Sequence, residues 1–330
     1  MLVTDVHTHL VPRGWPDLAV AIGGEGWPWL RVESEREAVI MVRDHEFRRI
    51  DSACWDPAVR FADMASDDVG RQVVSPTPVF FGYERPAAQA VKLARIFNDL
   101  TLEVTAGDPR LVPFCQVPLQ DPDAACAELD RCLAAGHAGV EIGNHVGDRD
   151  LDDEGIVQFL AHCAAVQAPV FVHPWDMATG PRLERWMAQW LVGMPSETHL
   201  SALALILGGT LDRVPDTLRI CFAHGGGSTA FWLGRADNAW ERRGDLVRGR
   251  STAPPSHYVN RFFVDSVVFS QPALRLLVDA MGEDQVVLGS DYPYPLGERP
   301  AGQVIREAAF LTGSQRQKLL SDNPARFLGF

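Results

Sequence analysis

Basic side chains are scarce in this sequence. Its 330 residues carry 30 lysines and arginines against 43 aspartates and glutamates, a net charge of -13. A surface of that sign argues against nucleic acid or an anionic membrane as partner. No apolar run reaches the roughly eighteen residues of a membrane-spanning helix. Nor does a basic segment followed by an apolar core open the chain, so no export signal is predicted. Six cysteines (Cys54, Cys115, Cys126, Cys132, Cys163 and Cys221) lack C-x-x-C spacing. They are expected to be reduced, buried small hydrophobes in a cytoplasmic protein. No Gly-x-Gly-x-x-Gly follows the first apolar segment, which weakens a dinucleotide-binding open sheet.

Short apolar segments are present in number. Leu2–Val6, Gln72–Val74, Leu111–Cys115, Gly139–Ile142, Pro169–Val172, Leu218–Phe222, Phe262–Val264 and Val286–Leu288 read as eight strands. Between them, Pro86–Ala106, Asp123–Ala135 and Glu154–Ala165 space their apolar residues by three and four, the helical period. Strands alternating with helices imply parallel pairing, and eight such units predict an α/β fold, a (β/α)8 barrel in one domain. Residues from about 11 to 56, rich in Gly, Pro and Trp, interrupt it after the first strand as an inserted lid or small subdomain. A second excursion, Met177–Pro195, carries Trp186, Met187, Trp190 and Met194, a composition that suggests an interface.

In such a barrel the chemistry sits where the strands end. His7 and His9, two apart on the first strand, project from one face. His173, His224 and Asp291 stand at the ends of three other strands. Three imidazoles and a carboxylate make a good shell for zinc with one position open, which leaves one His free as a base. Lys92 and Lys318 are the only lysines, and neither is near Gly139–Ile142, where a carbamylated lysine would bridge two metals. One zinc per subunit is therefore expected.

The His-x-His opening, His173-Pro174-Trp175-Asp176-Met177, His224-Gly225-Gly226-Gly227 and Gly289-Ser290-Asp291-Tyr292-Pro293 resemble the amidohydrolase superfamily, in its non-oxidative decarboxylase branch. Segments such as Cys54-Trp55-Asp56-Pro57 and Pro295-Leu296-Gly297-Glu298 extend the resemblance nearly end to end. It implies that His7, His9, His173 and Asp291 bind zinc and that His224 is the acid/base. It also implies that Arg48 and Arg235 hold the carboxylates of a small dicarboxylate substrate, Arg235 reaching in from the other subunit of a homodimer. Guanidinium suits that task because it grips carboxylate at two points in one plane. Some relatives place a Lys just before the Phe47-Arg48 pair, whereas this chain has Asp44-His45-Glu46. The expected reaction is decarboxylation of a muconate-type acid, with His224 deprotonating water held by zinc. Decarboxylation of a hydroxybenzoate, hydrolysis of a lactone or amide, and a zinc-bound scaffold without catalysis are the alternatives.

Overall fold

The structure, a computed structural model, describes residues 2–330. Its strands in chain order are β1 (Thr4–Leu10), β2 (Pro28–Val32), β3 (Glu37–Val42), β4 (His45–Asp51), β5 (Arg71–Pro76) and β6 (Leu111–Cys115). They continue with β7 (Gly139–Gly143), β8 (Val170–His173), β9 (Ile220–Phe222), β10 (Phe263–Asp265) and β11 (Val286–Val287). Eight of them form one sheet in the order β1-β5-β6-β7-β8-β9-β10-β11, with every ladder parallel. The chain segment after β11 then returns to β1. Val6 N donates to Leu288 O at 2.9 Å, Asp291 N to His7 O at 3.0 Å and His9 N to Tyr292 O at 2.7 Å. These bonds close the barrel, and the eight strands are those expected from the sequence.

Both faces of each strand are buried, so the segments read as apolar runs without polar alternation. Outward residues, including Val140, Ile142, Val170, Val172, Ile220 and Val264, pack under the surrounding helices. Inward residues Val73, Val112, Phe114, Phe171, Cys221, Phe263 and Val287 fill the lower barrel. Phe327, from the C-terminal helix Asn323–Leu328, plugs that end against Phe114 and Phe263. The floor is therefore dry, and the polar residues gather at the strands' C-terminal ends.

The helices start where capping chemistry dictates. Asp56 accepts from Ala58 N ahead of Pro57, and Asp121 accepts from Ala124 N ahead of Pro122. An acceptor at the cap and a proline at the first helical position both meet the unsatisfied donors of a helix N-terminus. No helix among the described residues is long and apolar enough to cross a membrane.

Between β1 and the helix Pro57–Ser66 lie a short helix, Leu18–Ile22, and the antiparallel sheet β2-β3-β4. Its inner face supplies Ala38, Ile40 and Ile50 to a cluster with Trp27, Phe80, Phe97 and Tyr294. This anchors β4 beside the barrel mouth. In the second excursion, residues after His173 run irregularly to a π-helical turn, Gln189–Gly193, which continues into the helix Met194–Leu207.

His137, at the end of helix Pro122–Ala135, is 4% exposed, with Nδ1 3.2 Å from Cys132 O. Burial, the largest influence, pushes its pKa from 6.5 down to about 4. Below pH 6.5 the unfolded chain takes up this proton more readily than the native state. The resulting loss of stability accumulates as pH falls from about 6.5 to about 4, reaching about 3 kcal/mol. Urea unfolding of wild type and His137→Leu across that range should diverge accordingly, the variant losing less stability with acid. Parallel curves would show that His137 does not contribute to acid sensitivity.

Candidate active site

Inward alternation along β1 sends His7 and His9 into the barrel mouth, and pairing of Thr8 with Val74 and His9 with Ser75 carries the strand through both. His173 ends β8, and Asp291 follows β11. Their side chains converge. His9 Nε2 lies 3.1 Å from Asp291 Oδ1, His7 Nε2 lies 3.6 Å from the same oxygen, and the two Nε2 atoms are 3.2 Å apart. The His173 ring centroid is 4.9 Å from that of His9 and 5.2 Å from that of His7. One donor atom from each of His7, His9, His173 and Asp291 falls within 4.8 Å of the others.

His224 stands beside this group. Its ring is 5.2 Å from His7 and 5.1 Å from His173, and its Nε2 is 3.8 Å from Asp291 Oδ2. All five strand-end residues named from the sequence therefore meet in one place. Two of them have left-handed backbones, His224 with φ 55° and Asp291 with φ 60°. Such conformations cost energy in residues with a Cβ and cluster at functional sites. The glycines after His224 belong to the same sharp turn. A Cβ on Gly227 would lie 2.2 Å from Pro195 O.

The hydrogen bonds around the rings determine which atoms face inward. His7 Nδ1 is 2.6 Å from Asp265 Oδ2, and His173 Nδ1 is 2.9 Å from Pro174 O. Each Nδ1 donates its hydrogen outward, so each Nε2 presents a lone pair to the cluster. With Asp291 these lone pairs form an electron-rich pocket that fits a divalent cation. Asp265 also accepts from Gly225 N at 2.8 Å and Val267 N at 3.0 Å, tying His7 to the turn that carries His224. Gly289 makes room for this contact, since a Cβ there would lie 2.8 Å from Asp265 Cβ and 2.9 Å from His7 Cβ.

Asp5, one layer below, accepts from Ser290 Oγ at 2.5 Å and Ser290 N at 3.1 Å, fixing the residue next to Asp291. Neither Asp265 nor Asp5 was identified from the sequence. The cue for Asp265 was available, because a carboxylate directly ends the apolar strand Phe263-Val264.

The charges divide the histidines. Burial pushes His9 down to about 4, with His7 and Arg48 adding to the shift against Asp291. Burial also holds His173 well below its usual value, reinforced by His9, His224 and His7. For His224 burial again acts downward, but the carboxylates of Asp291 and Asp265 outweigh it and raise its pKa. Asp291 is pushed up by burial, yet its bonds to His224 and His9 win and hold it well below the carboxylate range. His9 and His173 are thus kept neutral, as a metal requires, while the carboxylates beside His224 favour its protonated form.

Arg48, on β4, places its guanidinium 4.1 Å from the Tyr294 ring centroid, and Tyr294 in turn lies 5.3 Å from the His9 ring. Neighbouring Arg49 points elsewhere and pairs with Glu46. Arg48 makes no ion pair among the described residues, so its fork is free at the mouth. The Phe47 ring centroid lies 5.4 Å from the same guanidinium and 5.8 Å from the Trp175 ring. Arg235 is not brought to the cluster of its own chain. It is exposed on the helix Thr229–Arg242, 5.7 Å over Trp232.

A family profile described as Amidohydrolase matches residues 4–330. The 2-amino-3-carboxymuconate-6-semialdehyde decarboxylase of Dictyostelium discoideum is 40% identical over 330 residues, covering 99% of this chain and 92% of that protein. The enzyme of the same name from Caenorhabditis elegans is 32% identical, covering 98% and 93%. Among solved structures, the 5-carboxyvanillate decarboxylase of Novosphingobium aromaticivorans, in complex with manganese and 4-hydroxy-3-methoxy-5-nitrobenzoic acid, superposes with a TM-score of 0.78 at 20% identity. That match covers 100% of this chain and 96% of the other.

Nitrogen-15 NMR of the metal-free protein should show His224 titrating above 6.5 and His9 near 4. Asp291→Asn removes the carboxylate that sustains the His224 proton and should lower its pKa. If His224 titrates no higher than His9, the division of the rings described here is wrong.

Proposed function

The chain belongs to the amidohydrolase family, and we propose that it is a zinc-dependent, non-oxidative carboxy-lyase acting on 2-amino-3-carboxymuconate-6-semialdehyde. The observation that carries this reading is His224, set beside the donor set of His7, His9, His173 and Asp291, with Arg48 held over Tyr294 next to His9. A structural metal would need no such fifth group. The 40% identity to the Dictyostelium decarboxylase supports the substrate assignment.

His7, His9, His173 and Asp291 would hold the metal. A set of three imidazoles and one carboxylate suits zinc, one ion per chain, while the Novosphingobium enzyme's manganese shows what a fold relative holds. When bound, the ion supplies Lewis acidity and makes a nearby water a stronger acid. Arg48 grips one substrate carboxylate through its fork, and Tyr294 orients that guanidinium by cation–π contact. His224, carrying a proton, delivers it to the substrate carbon that bears the departing carboxylate and regains one from solvent after the reaction. The carbon–carbon bond to that carboxylate then breaks, carbon dioxide leaves, and the new C–H bond replaces it to give 2-aminomuconate semialdehyde. No C–N bond is cut, so the reaction is a lyase reaction despite the family's hydrolytic name.

The second carboxylate falls to Arg235 of a partner subunit in a two-fold dimer. Large apolar side chains left exposed support such a contact: Trp186, Met187, Leu191 and Val192 after β8, and Phe231 and Trp232 on the helix that carries Arg235. The six cysteines, all free and mostly buried, suit a reducing compartment, which we take to be the cytoplasm. On this reading the enzyme acts in aromatic amino-acid breakdown of the tryptophan type, supported by its similarity to the Dictyostelium decarboxylase.

Loss of the substrate's ultraviolet chromophore, with product analysis, tests the reading directly. A stable chromophore with zinc-loaded protein would refute the substrate assignment. Elemental analysis should find about one zinc per chain, and His173→Ala or Asp291→Ala should lower it. His224→Ala should keep its zinc while losing about 10²-fold or more in turnover. Zinc lost in proportion to activity would instead make His224 a ligand.

Arg48→Ala and Arg235→Ala should each be nearly inactive. Mixed in equal amounts and allowed to exchange subunits, they should recover roughly a quarter of wild-type activity. About half the dimers are then mixed, and each mixed dimer has one intact site. If exchange is verified and no activity returns, the shared site is rejected.

A further inference from the structure

Arg60 is a cation buried where a cation is costly. It sits on the helix Pro57–Ser66, one turn past the Asp56 cap, and is 2% exposed. No carboxylate pairs with it among the described residues. Its Nη1 donates to Thr8 Oγ1 at 3.1 Å and Gln72 Oε1 at 3.0 Å, and its Nη2 donates to His9 O at 2.6 Å and Ala53 O at 3.2 Å. The guanidinium lies 4.8 Å from the Tyr292 ring centroid. An apolar side chain of similar volume would avoid the desolvation cost, so the charge is not explained by stability.

Its bonds explain it better. They join three segments that meet only in the folded chain: β1 at Thr8 and His9, β5 at Gln72, and the turn after β4 at Ala53. The peptide groups on both sides of the His9 Cα are thereby held, its N–H by Tyr292 O at 2.7 Å and its carbonyl by Arg60. The same fork grips the turn in which β4, the strand of Arg48, ends. Thr8, whose side chain points away from the cluster, completes the lock by donating to Val73 O at 2.5 Å.

We propose that Arg60 is a positioning residue that sets His9 and the Arg48 strand relative to each other, so that metal affinity and substrate affinity both depend on it. This rests on the reading above that His9 holds metal and Arg48 holds substrate. A fixed ligand loses little freedom on binding, and outer contacts of this kind typically change metal affinity about 10- to 100-fold.

Arg60→Met and Arg60→Lys are to be compared with wild type by competing a chromophoric chelator for zinc on the folded proteins, and by steady-state kinetics of the zinc-loaded enzymes. Arg60→Met should bind zinc at least about ten-fold more weakly and raise KM by more than it lowers kcat. Arg60→Lys, which keeps the charge but cannot span all four acceptors, should fall between the two. A merely structural arginine would lower the melting temperature and leave zinc affinity and KM unchanged. Folded Arg60→Met with wild-type zinc affinity and KM overturns the proposal. If Arg60→Met does not fold, the same wild-type values in Arg60→Lys overturn it. If neither folds, Arg60 serves folding and the proposal is rejected. His9→Asn is the control. Unchanged zinc affinity there would refute the metal site itself, whereas its loss there and its retention in Arg60→Met would refute only the role of Arg60.

Discussion

Everything at this site depends on the seam where the last barrel strand meets the first. Three backbone hydrogen bonds join Leu288–Tyr292 to Val6–His9. They bring residue 291 beside residues 7 and 9, a separation of almost the whole chain. Without closure the His-x-His pair would face solvent with no carboxylate, and Asp291 would have no histidine to offset its burial. The seam is reinforced from below by Asp5 on Ser290 and laterally by Asp265 on His7, so it is made of side-chain as well as backbone bonds.

Charge is arranged around that seam in a graded way. Asp265 and Asp291 are kept ionised against burial by the rings they touch. They in turn decide which ring holds a proton. His224 lies near both and is raised, whereas His173 is surrounded mainly by other imidazoles and is held neutral. One fold thus produces metal-ready and proton-carrying histidines from the same residue type, through position alone. Arg48 adds a cation at the rim, where an anionic substrate would arrive despite the protein's net negative charge.

The inserted sheet connects this electrostatics to packing. Its inner face rests on the helix Ala87–Thr105 and on Tyr294, the ring that stands between Arg48 and His9. Strand β4, through Arg48, and strand β1, through His9, therefore share the Tyr294 ring as well as the Arg60 fork. A shift in one is transmitted to the other because packed cores resist continuous deformation.

Much of this was legible in the chain. Short apolar runs alternating with segments of helical spacing specified eight strand–helix units, and the two histidines of a His-x-His repeat on a strand share one face. Those are local properties, set by backbone geometry within a few residues. The histidines and Asp291 were recognisable because polar residues ending apolar strands need a reason. Asp265 gave the same signal and was passed over because it is a single carboxylate without a motif around it. The first strand is expected to carry His7-Thr8-His9 at its end, and pairing with β5 takes it through them to Leu10. Residues 11–56 read only as an insertion, because antiparallel pairing among β2, β3 and β4 is decided by the surface they cover and not by their own composition. Arg60 looked like any helix arginine. Its role exists only where β1, β5 and the end of β4 meet, and that meeting is made by the closed barrel. Sequence alone determined the units and the chemistry they carry, because those follow from short-range geometry; tertiary structure alone decided which groups touch, because burial and pairing act across the whole chain.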